Sequence, residues 1–490
     1  MLRSFVRYGY GGAMIPPAGS APLYEQIAAK IEKLIRTGAL RPGERIPSVR
    51  RAGAQHGVSV TTAAQAYLAL EDRGWIEARP RSGFFVRMQW RERALEPGIS
   101  RPARAAATVE VGSLQARVFD AVRMPQVVPL GAGYPGAEVL PAVKLGRIMA
   151  AVARSAGARG LAYEMPPGSE ALRRQIARRS LDWGGNLSPD EVITTCGGTE
   201  ALALSLRAVT KPGDIVAVES PTYFGVLQII EELRLRALEI PMHPRDGMDL
   251  DALERAFAKR RVAVCLATPN FNNPLGSLMP DAAKRRLVEI LARRDVPLIE
   301  DDINGDLAHD GSRPRTAQSY DRAGRVLLCS SFSKTLAPGY RVGWVAPGRY
   351  FEKVKALKLT GTLATATLPQ LAIAEFLANG GYDHHLRALR RHFAGQIERM
   401  SAAVAAAFPA GVRLTRPRGG FVLWAGLPKG VCALQLHERA LAEKISIAPG
   451  PMFSVRRDFP NFIRLNCGHA WSEKLARAVE ILGGLVKAMA

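Results

Sequence analysis

Ser331–Phe332–Ser333–Lys334, with Arg341 seven residues further on, is the stretch of this chain best suited to covalent chemistry. The apolar run Val326–Cys329 just before it reads as a buried strand. A lysine just past such a strand, in a loop of serines, is badly placed for a solvated surface charge. It is well placed for a nucleophilic amine that forms a Schiff base with a carbonyl. The hydroxyls of Ser331 and Ser333 and the guanidinium of Arg341 are the donors a phosphate needs nearby. Taken alone, the same residues read equally as a loop lysine near a helix start.

Five further stretches fit what Lys334 would need. Cys196–Gly197–Gly198–Thr199–Glu200 precedes an apolar helical run, so its backbone N–H groups and helix end favour an anion, although most such glycines are turns. Glu219–Ser220–Pro221–Thr222–Tyr223 follows a strand, and Tyr223 can cover a flat ring or simply pack in its loop. Asn273–Pro274–Leu275–Gly276 presents an amide on a rigid turn, where it can donate to a phenolate oxygen. Glu300–Asp301–Asp302 ends a very apolar strand, and a carboxylate there stays ionised if it pairs with a pyridinium N–H. The competing reading is a divalent-metal site, for which histidines at ligand spacing are missing. Arg464 lies inside the apolar run Asn461–Asn466 and needs an anionic partner, either a substrate carboxylate or a structural acid.

These residues have to be positioned by a large fold. The chain has 490 residues, 47% hydrophobic and 23% charged, enough for two or three domains with sizeable cores. No run of eighteen apolar residues occurs, so no transmembrane helix and no membrane partner is expected. Cys196, Cys265, Cys329, Cys432 and Cys467 are scattered, which argues against a disulfide framework or a zinc site and fits a reducing cytoplasm. The net charge of +23 favours a polyanionic partner.

Residues 1–20 read as a flexible tail. From Leu23 the pattern becomes helical, with Leu23, Ile27, Ile31 and Leu34 on one face. Ser48 is an N-cap for a second helix through about Gln55, and Ser59 for a third with Ala63, Ala66, Tyr67 and Leu70 inside. Trp75–Arg79 and Gly83–Val86 read as two short strands, completing a winged helix-turn-helix. Leu23–Tyr24–x–Gln26–Ile27, Pro47–Ser48–x–Arg50, Gly57–Val58–Ser59, Ala66–Tyr67–x–x–Leu70–Glu71 and Ser82–Gly83–x–x–Val86 resemble the GntR family of bacterial regulators across residues 21–87. That resemblance implies a double-stranded DNA operator as partner. The third helix would enter the major groove with Ser59, Thr61, Thr62 and Gln65 outward, Arg50 on the preceding helix, and Arg81, Ser82 and Gly83 along the wing. Where the family often has a base-reading arginine after Ser59, this chain has Val60, and Ala64 is apolar too. Specificity would then lean on the wing or on thymine methyl groups.

Residues 88–108, with Arg91, Arg93, Arg101 and Arg104 among prolines and a glycine, read as a basic linker. From 109 to 490 helical patterns alternate with β-rich runs at Ile215–Val218, Val262–Ala267, Val296–Glu300 and Val326–Cys329, the pattern of an α/β fold with parallel strands. The chemical stretches, taken in order with Gly419–Gly420–Phe421 and Pro449–Gly450, resemble fold-type I enzymes of the class I aminotransferase group, which bind pyridoxal 5'-phosphate. The resemblance implies that Lys334 carries the cofactor and Asp301 pairs with its ring nitrogen. It further implies that Asn273 contacts the ring hydroxyl and Tyr223 stacks on the ring. Gly198, Thr199, Ser331, Ser333 and Arg341 hold the phosphate, Tyr163 reaches the partner's phosphate in a homodimer, and Arg464 binds an α-carboxylate. The family's tyrosine two or three residues after the aspartate is replaced by Ile303 and Asn304.

A GntR-type head joined to an aminotransferase-like body is the arrangement of the MocR/GabR group of regulators. The expectation is a cytoplasmic, pyridoxal phosphate-dependent regulator whose effector is an amino compound or pyridoxal phosphate itself. The alternative is a working aminotransferase with an appended DNA-binding head.

Overall fold

The computed structural model describes residues 22–36, 39–40, 43–73, 75–79, 82–86, 94–110, 112, 116, 118, 120, 124–379 and 381–490. The expected tail at 1–20, Arg81 of the wing, and Arg91 and Arg93 lie outside the described residues. The chain divides into two compact units, Met1–Arg93 and Ala94–Ala490.

In the smaller unit, helix α1 (Leu23–Arg36) buries Ile27, Ala28 and Ile31. Leu23 and Leu34 are exposed, because at 100° per residue they sit roughly 80° and 60° round the helix from Ile31, on opposite sides. Helix α2 (Val49–His56) starts where the Ser48 hydroxyl accepts the Arg51 N–H and stops at Gly57, whose φ of 64° suits glycine. Helix α3 (Val60–Asp72) starts where Ser59 accepts the Thr62 N–H at 3.1 Å. Ala63, Ala66, Tyr67 and Leu70 face inward as their spacing requires. Tyr67 donates to the Pro47 carbonyl at 2.8 Å, and its ring meets Phe84 edge-on at 5.1 Å. It thereby ties α3 both to the turn before α2 and to the antiparallel hairpin of β1 (Ile76–Arg79) and β2 (Gly83–Val86).

The larger unit is built on a nine-stranded sheet. Its order begins Ala107–Thr108, Arg236–His243, Ile215–Ser220, Val264–Ala267 and Leu298–Asp301, and continues Val326–Ser331, Gly343–Ala346 and Ile193–Thr195, with the ninth strand, Gly247–Met248, paired to Arg236–His243 off this path. The strands from Arg236–His243 to Val326–Ser331 run parallel, whereas Gly343–Ala346 is antiparallel to both its neighbours. Nearly continuous burial along these strands explains their unbroken apolar runs, since helices cover both faces. A four-stranded antiparallel sheet (Arg413–Leu414, Val422–Gly426, Phe462–Asn466 and Ala448–Pro449) forms a second layer with its own apolar core. Each expected strand appears, with no end displaced by more than two residues.

The segment read as a linker, 88–108, does not stay free throughout. From Ala94 it belongs to the larger unit: Ser100 N–H donates to Met242 O at 3.1 Å, and Ala107–Thr108 adds an antiparallel strand to the main sheet. Turn-forming composition concealed this, because the attachment is made largely by backbone groups, with the side chains of Glu96 and Ser100. Leu70 is fully buried at the centre of the smaller unit. Leu70→Ala is expected to cost that unit about 2–5 kcal/mol, seen in calorimetry as an earlier transition while the main transition of the larger unit stays in place.

Candidate functional site

Five strands of the main sheet direct their carboxyl ends to one place, the crevice that open α/β sheets use for ligands. Ile215–Ser220 leads to Tyr223, Val264–Ala267 to Asn273, and Leu298–Asp301 ends on Asp301 itself. Val326–Ser331 runs into Ser331, Ser333 and Lys334, while Ile193–Thr195 runs into Gly197 and Gly198. The four adjacent parallel strands thus present Tyr223, Asn273, Asp301 and Lys334 in spatial order. Arg464 comes from the smaller sheet, where it pairs in register with Trp424 and Ala448.

Lys334 Nζ donates to the Gly133 carbonyl at 2.5 Å. Burial, and next the guanidinium of Arg464, bring its pKa down to about 8, while Asp301 acts in the opposite sense. Burial pushes Asp301 up to about 7, helped by Asp302 and opposed by the Ile303 N–H and Lys334. The three strand-end carboxyls diverge. Glu300 accepts the N–H groups of Ala317 and Gln318, and Asp302 takes Arg313 and Asn270. Asp301 accepts only the Ile303 N–H, at 3.3 Å, among the hydrogen bonds of the described residues.

Arg464 is fully buried, and burial lowers its pKa to about 10. Its Nη1 donates to Asn273 Oδ1 at 3.3 Å and its Nη2 to the Gly131 carbonyl, while Nε has no partner. Around the start of helix Gly198–Val209, Arg341 donates to Ser333 Oγ at 3.5 Å and to the Cys196 carbonyl at 3.2 Å. Ser331 Oγ accepts the Ser333 N–H at 3.3 Å. A Cβ on Gly197 would collide with Arg341 Nη2, so glycine there lets the guanidinium approach the helix start. Thr199 is exposed at the same helix start. Tyr163 is 75% exposed and stands apart from these groups within one chain.

Sequence reasoning missed three parts of this arrangement. Gly133 carried no signal, because its role is that of a backbone acceptor. Glu219 stood in a motif read only for Tyr223; it accepts from Asn272 Nδ2 and, at 3.1 Å, from the Thr268 N–H, holding the loop that carries Asn273. Burial raises Glu219 to about 8. Behind Lys334, Tyr382 donates to Asp306 and meets Thr335 Oγ1 at 3.0 Å, and Asp306 pairs with Arg313. Asn304, standing where a tyrosine is usual, sends its amide to the Phe271 carbonyl at 2.9 Å.

On the smaller unit, the Ser59 and Thr62 hydroxyls lie 2.8 Å apart and serve the start of α3. Thr61 and Gln65 are exposed, Val60 is 52% exposed, and Arg50 is exposed on α2. Ser82 and Gly83 form the turn into β2.

The residues of the larger site fit pyridoxal phosphate. Its ring nitrogen would find the Asp301 carboxyl, which has one long hydrogen bond, and its phosphate the glycine-lined helix start beside Arg341, while the unpartnered Arg464 Nε is left for a carboxylate. The electrostatics can be checked without activity. In the cofactor-free chain, condensation of Lys334 with an added aldehyde should rise with pH through about 8, since only the neutral amine attacks. Arg464→Met should move that midpoint up and Asp301→Asn should move it down; shifts in the same direction would contradict the arrangement.

Residues 125–482 match the family described as aminotransferase class I and II, and residues 23–86 match the bacterial regulatory proteins of the gntR family. The uncharacterized HTH-type transcriptional regulator YdcR of Escherichia coli (strain K12) is 40% identical over 464 residues, covering 95% of this chain and 99% of its own length. The 2-aminoadipate transaminase of Thermus thermophilus is 30% identical, covering 79% of this chain and 96% of its own. Among solved structures, LysN, the α-aminoadipate aminotransferase of Thermus thermophilus complexed with N-(5'-phosphopyridoxyl)-L-leucine, superposes with a TM-score of 0.71. It is 30% identical and covers 77% of this chain and 96% of its own. Strand-end geometry and family matches agree: the chain belongs to the class I and II aminotransferase family, whose members bind pyridoxal phosphate, and joins that fold to a gntR-family head in the MocR-type architecture of transcriptional regulators.

Proposed function

We propose that this regulator senses an amino compound, or pyridoxal phosphate itself, through Schiff-base chemistry at Lys334, and that the chemistry biases how its head engages an operator. The observation that carries the reading is the desolvated Lys334 amine, coupled to both Asp301 and Arg464 at the strand ends. When bound, pyridoxal phosphate supplies an aldehyde carbon open to a primary amine and a ring that withdraws electrons once its nitrogen is protonated.

Each residue then has a task. Lys334, with a pKa near 8, offers an appreciable neutral fraction close to neutral pH. Asp301, pushed up by burial, is driven back to its ionised form by a ring N–H and keeps that proton in place. Asn273 orients the ring oxygen and Tyr223 covers the ring face. Gly198, Thr199, Ser331, Ser333 and Arg341 hold the phosphate, and Arg464 accepts an effector carboxylate through its free Nε. A homodimer completes the site: Leu161, Tyr163 and Met165 are 91%, 75% and 46% exposed, an apolar stretch that a second copy covers while it lends Tyr163. The five free cysteines, three of them buried, accord with a reducing cytoplasm.

On the head, Arg50 and the hydroxyls of Ser59, Thr61 and Thr62 at the start of α3 meet phosphates, Gln65 reaches an adenine edge, and Arg81, Ser82 and Gly83 follow the DNA backbone. The exposed Val60 favours thymine methyl groups. A ligand shifts this equilibrium only through different affinities for the two arrangements of head and body.

A second reading, a working aminotransferase, is favoured by the intact Lys334, Asp301 and Arg464. Against it, Asn304 spends its amide on Phe271 instead of the ring oxygen. Steady-state keto-acid formation from an amino-acid panel separates them, and fast turnover would overturn a sensor-only role. Lys334→Ala should abolish the visible absorbance of added cofactor and any borohydride-stable adduct; a retained adduct would remove Lys334 from its role. Arg50→Ala with Thr62→Ala should weaken operator binding and lower its salt slope by about one unit per lost phosphate contact, with cofactor spectra unchanged in the same preparation.

A further inference from the structure

A second cleft, of about 620 Å³, lies apart from the Lys334 site, between the turn at Arg245 and the loop at Arg416 and Arg418. Its floor is apolar, with Leu278, Met279 and Pro314. Its charge is uneven. Asp281 is engaged by the buried Lys284 at 3.4 Å, and Asp246 by His243 at 3.0 Å. Besides Lys284, the positive charge comes from three arginines, of which Arg418 pairs with Asp310 at 3.5 Å.

Two of them hold the incoming chain. Arg245 Nε donates to Glu96 Oε2 at 2.6 Å, with Nη2 on the same oxygen, and Arg416 Nη2 reaches the Ala94 carbonyl at 3.4 Å. The other carboxylate oxygen of Glu96, Oε1, is buried with no hydrogen-bond partner. This carboxylate is therefore poorly satisfied, and a buried unpaired oxygen is costly. It occupies the guanidinium as a monoanion joined by one oxygen. A free dianion able to bridge Arg245 and Arg416 would replace a single-oxygen contact with charge-assisted pairs on both arginines.

The cleft also touches the loop of the first site. Gly276, three residues after Asn273, lines it and is packed so closely on Pro417 that a Cβ would come within 2.6 Å. We propose that this cleft binds a small dianion, a phosphate ester or a dicarboxylate, in competition with Glu96 for Arg245. Occupancy frees the Ala94–Glu96 segment, the point at which the chain enters the larger unit. The binding stands without the sensor reading above; only its consequence for operator affinity rests on that reading.

The test uses the full chain loaded with pyridoxal phosphate, so that the first phosphate cradle is filled, and no DNA. Titration calorimetry with inorganic phosphate and with malonate, against acetate at matched ionic strength, should show saturable binding of at least one dianion. The two arms tell a phosphate ester from a dicarboxylate. Arg245→Gln with Arg416→Gln should weaken binding by about tenfold or more, and Arg416→Gln alone, expected to weaken it severalfold, keeps the test available should the double variant fold poorly. Glu96→Gln should tighten it by about threefold, because the internal competitor is gone. Trypsin cleavage of the Arg93–Ala94 bond should quicken on binding. No saturation beyond acetate, unchanged or weaker binding in Glu96→Gln, or binding that survives the arginine variants while shifting the cofactor's visible band would each overturn the proposal.

Discussion

The larger unit is arranged around the cost of keeping a lysine amine out of water. Lys334 follows a buried strand and lies between a cation, Arg464, and a carboxyl, Asp301, neither of which is solvated. Desolvation penalises the ammonium, the arginine adds to that penalty, and Asp301 offsets part of it. Such a balance holds only if the three groups stay in place. The parallel strands, fully buried, fix Lys334 and Asp301, and a separate antiparallel sheet fixes Arg464. Removing Asp301 would leave Lys334 and Arg464 without their counterweight, whereas removing Arg464 would relieve Lys334 of a like charge.

Around that centre the polar groups form braces. Tyr382 and Asp306 reach Thr335, the residue after Lys334, and through Arg313 they connect to Asp302, the residue after Asp301. Glu219 and Asn272 restrain the loop that carries Asn273. These are satisfied buried networks, which stiffen a site because each member loses more by leaving than by staying. The Asn304 replacement belongs to the same logic: a short amide in a buried loop finds the nearest carbonyl, that of Phe271, where a longer phenol would extend into the site.

The smaller unit solves a different problem. Its short helices stand because Ser48 and Ser59 cap their starts and Gly57 ends one of them. The Ser59 hydroxyl is committed to the start of α3, accepting the Thr62 N–H and meeting the Thr62 hydroxyl, while Val60, Thr61 and Gln65 are exposed on its first turns. An apolar β-branched residue in that position is a physical departure from an arginine, and it moves recognition from hydrogen bonding toward contact with methyl groups.

By itself the amino-acid order determined the local elements and the ingredients of the chemistry. Helical spacing, caps and glycines marked the head, buried apolar runs marked the parallel strands, and Lys334, Asp301, Asn273 and Arg464 stood out as polar groups at or inside such runs. Those signals are local, because a cap or a strand is written within a few residues. Tertiary structure alone decided the pairings: Lys334 on the Gly133 carbonyl, Asn273 on Arg464, Glu219 under the Asn273 loop, and the attachment of Ala94–Ser100 to the body. Their partners lie far apart in sequence, and several are backbone atoms. A carbonyl has no residue type to announce it, so only the folded chain could reveal which one a buried charge would find.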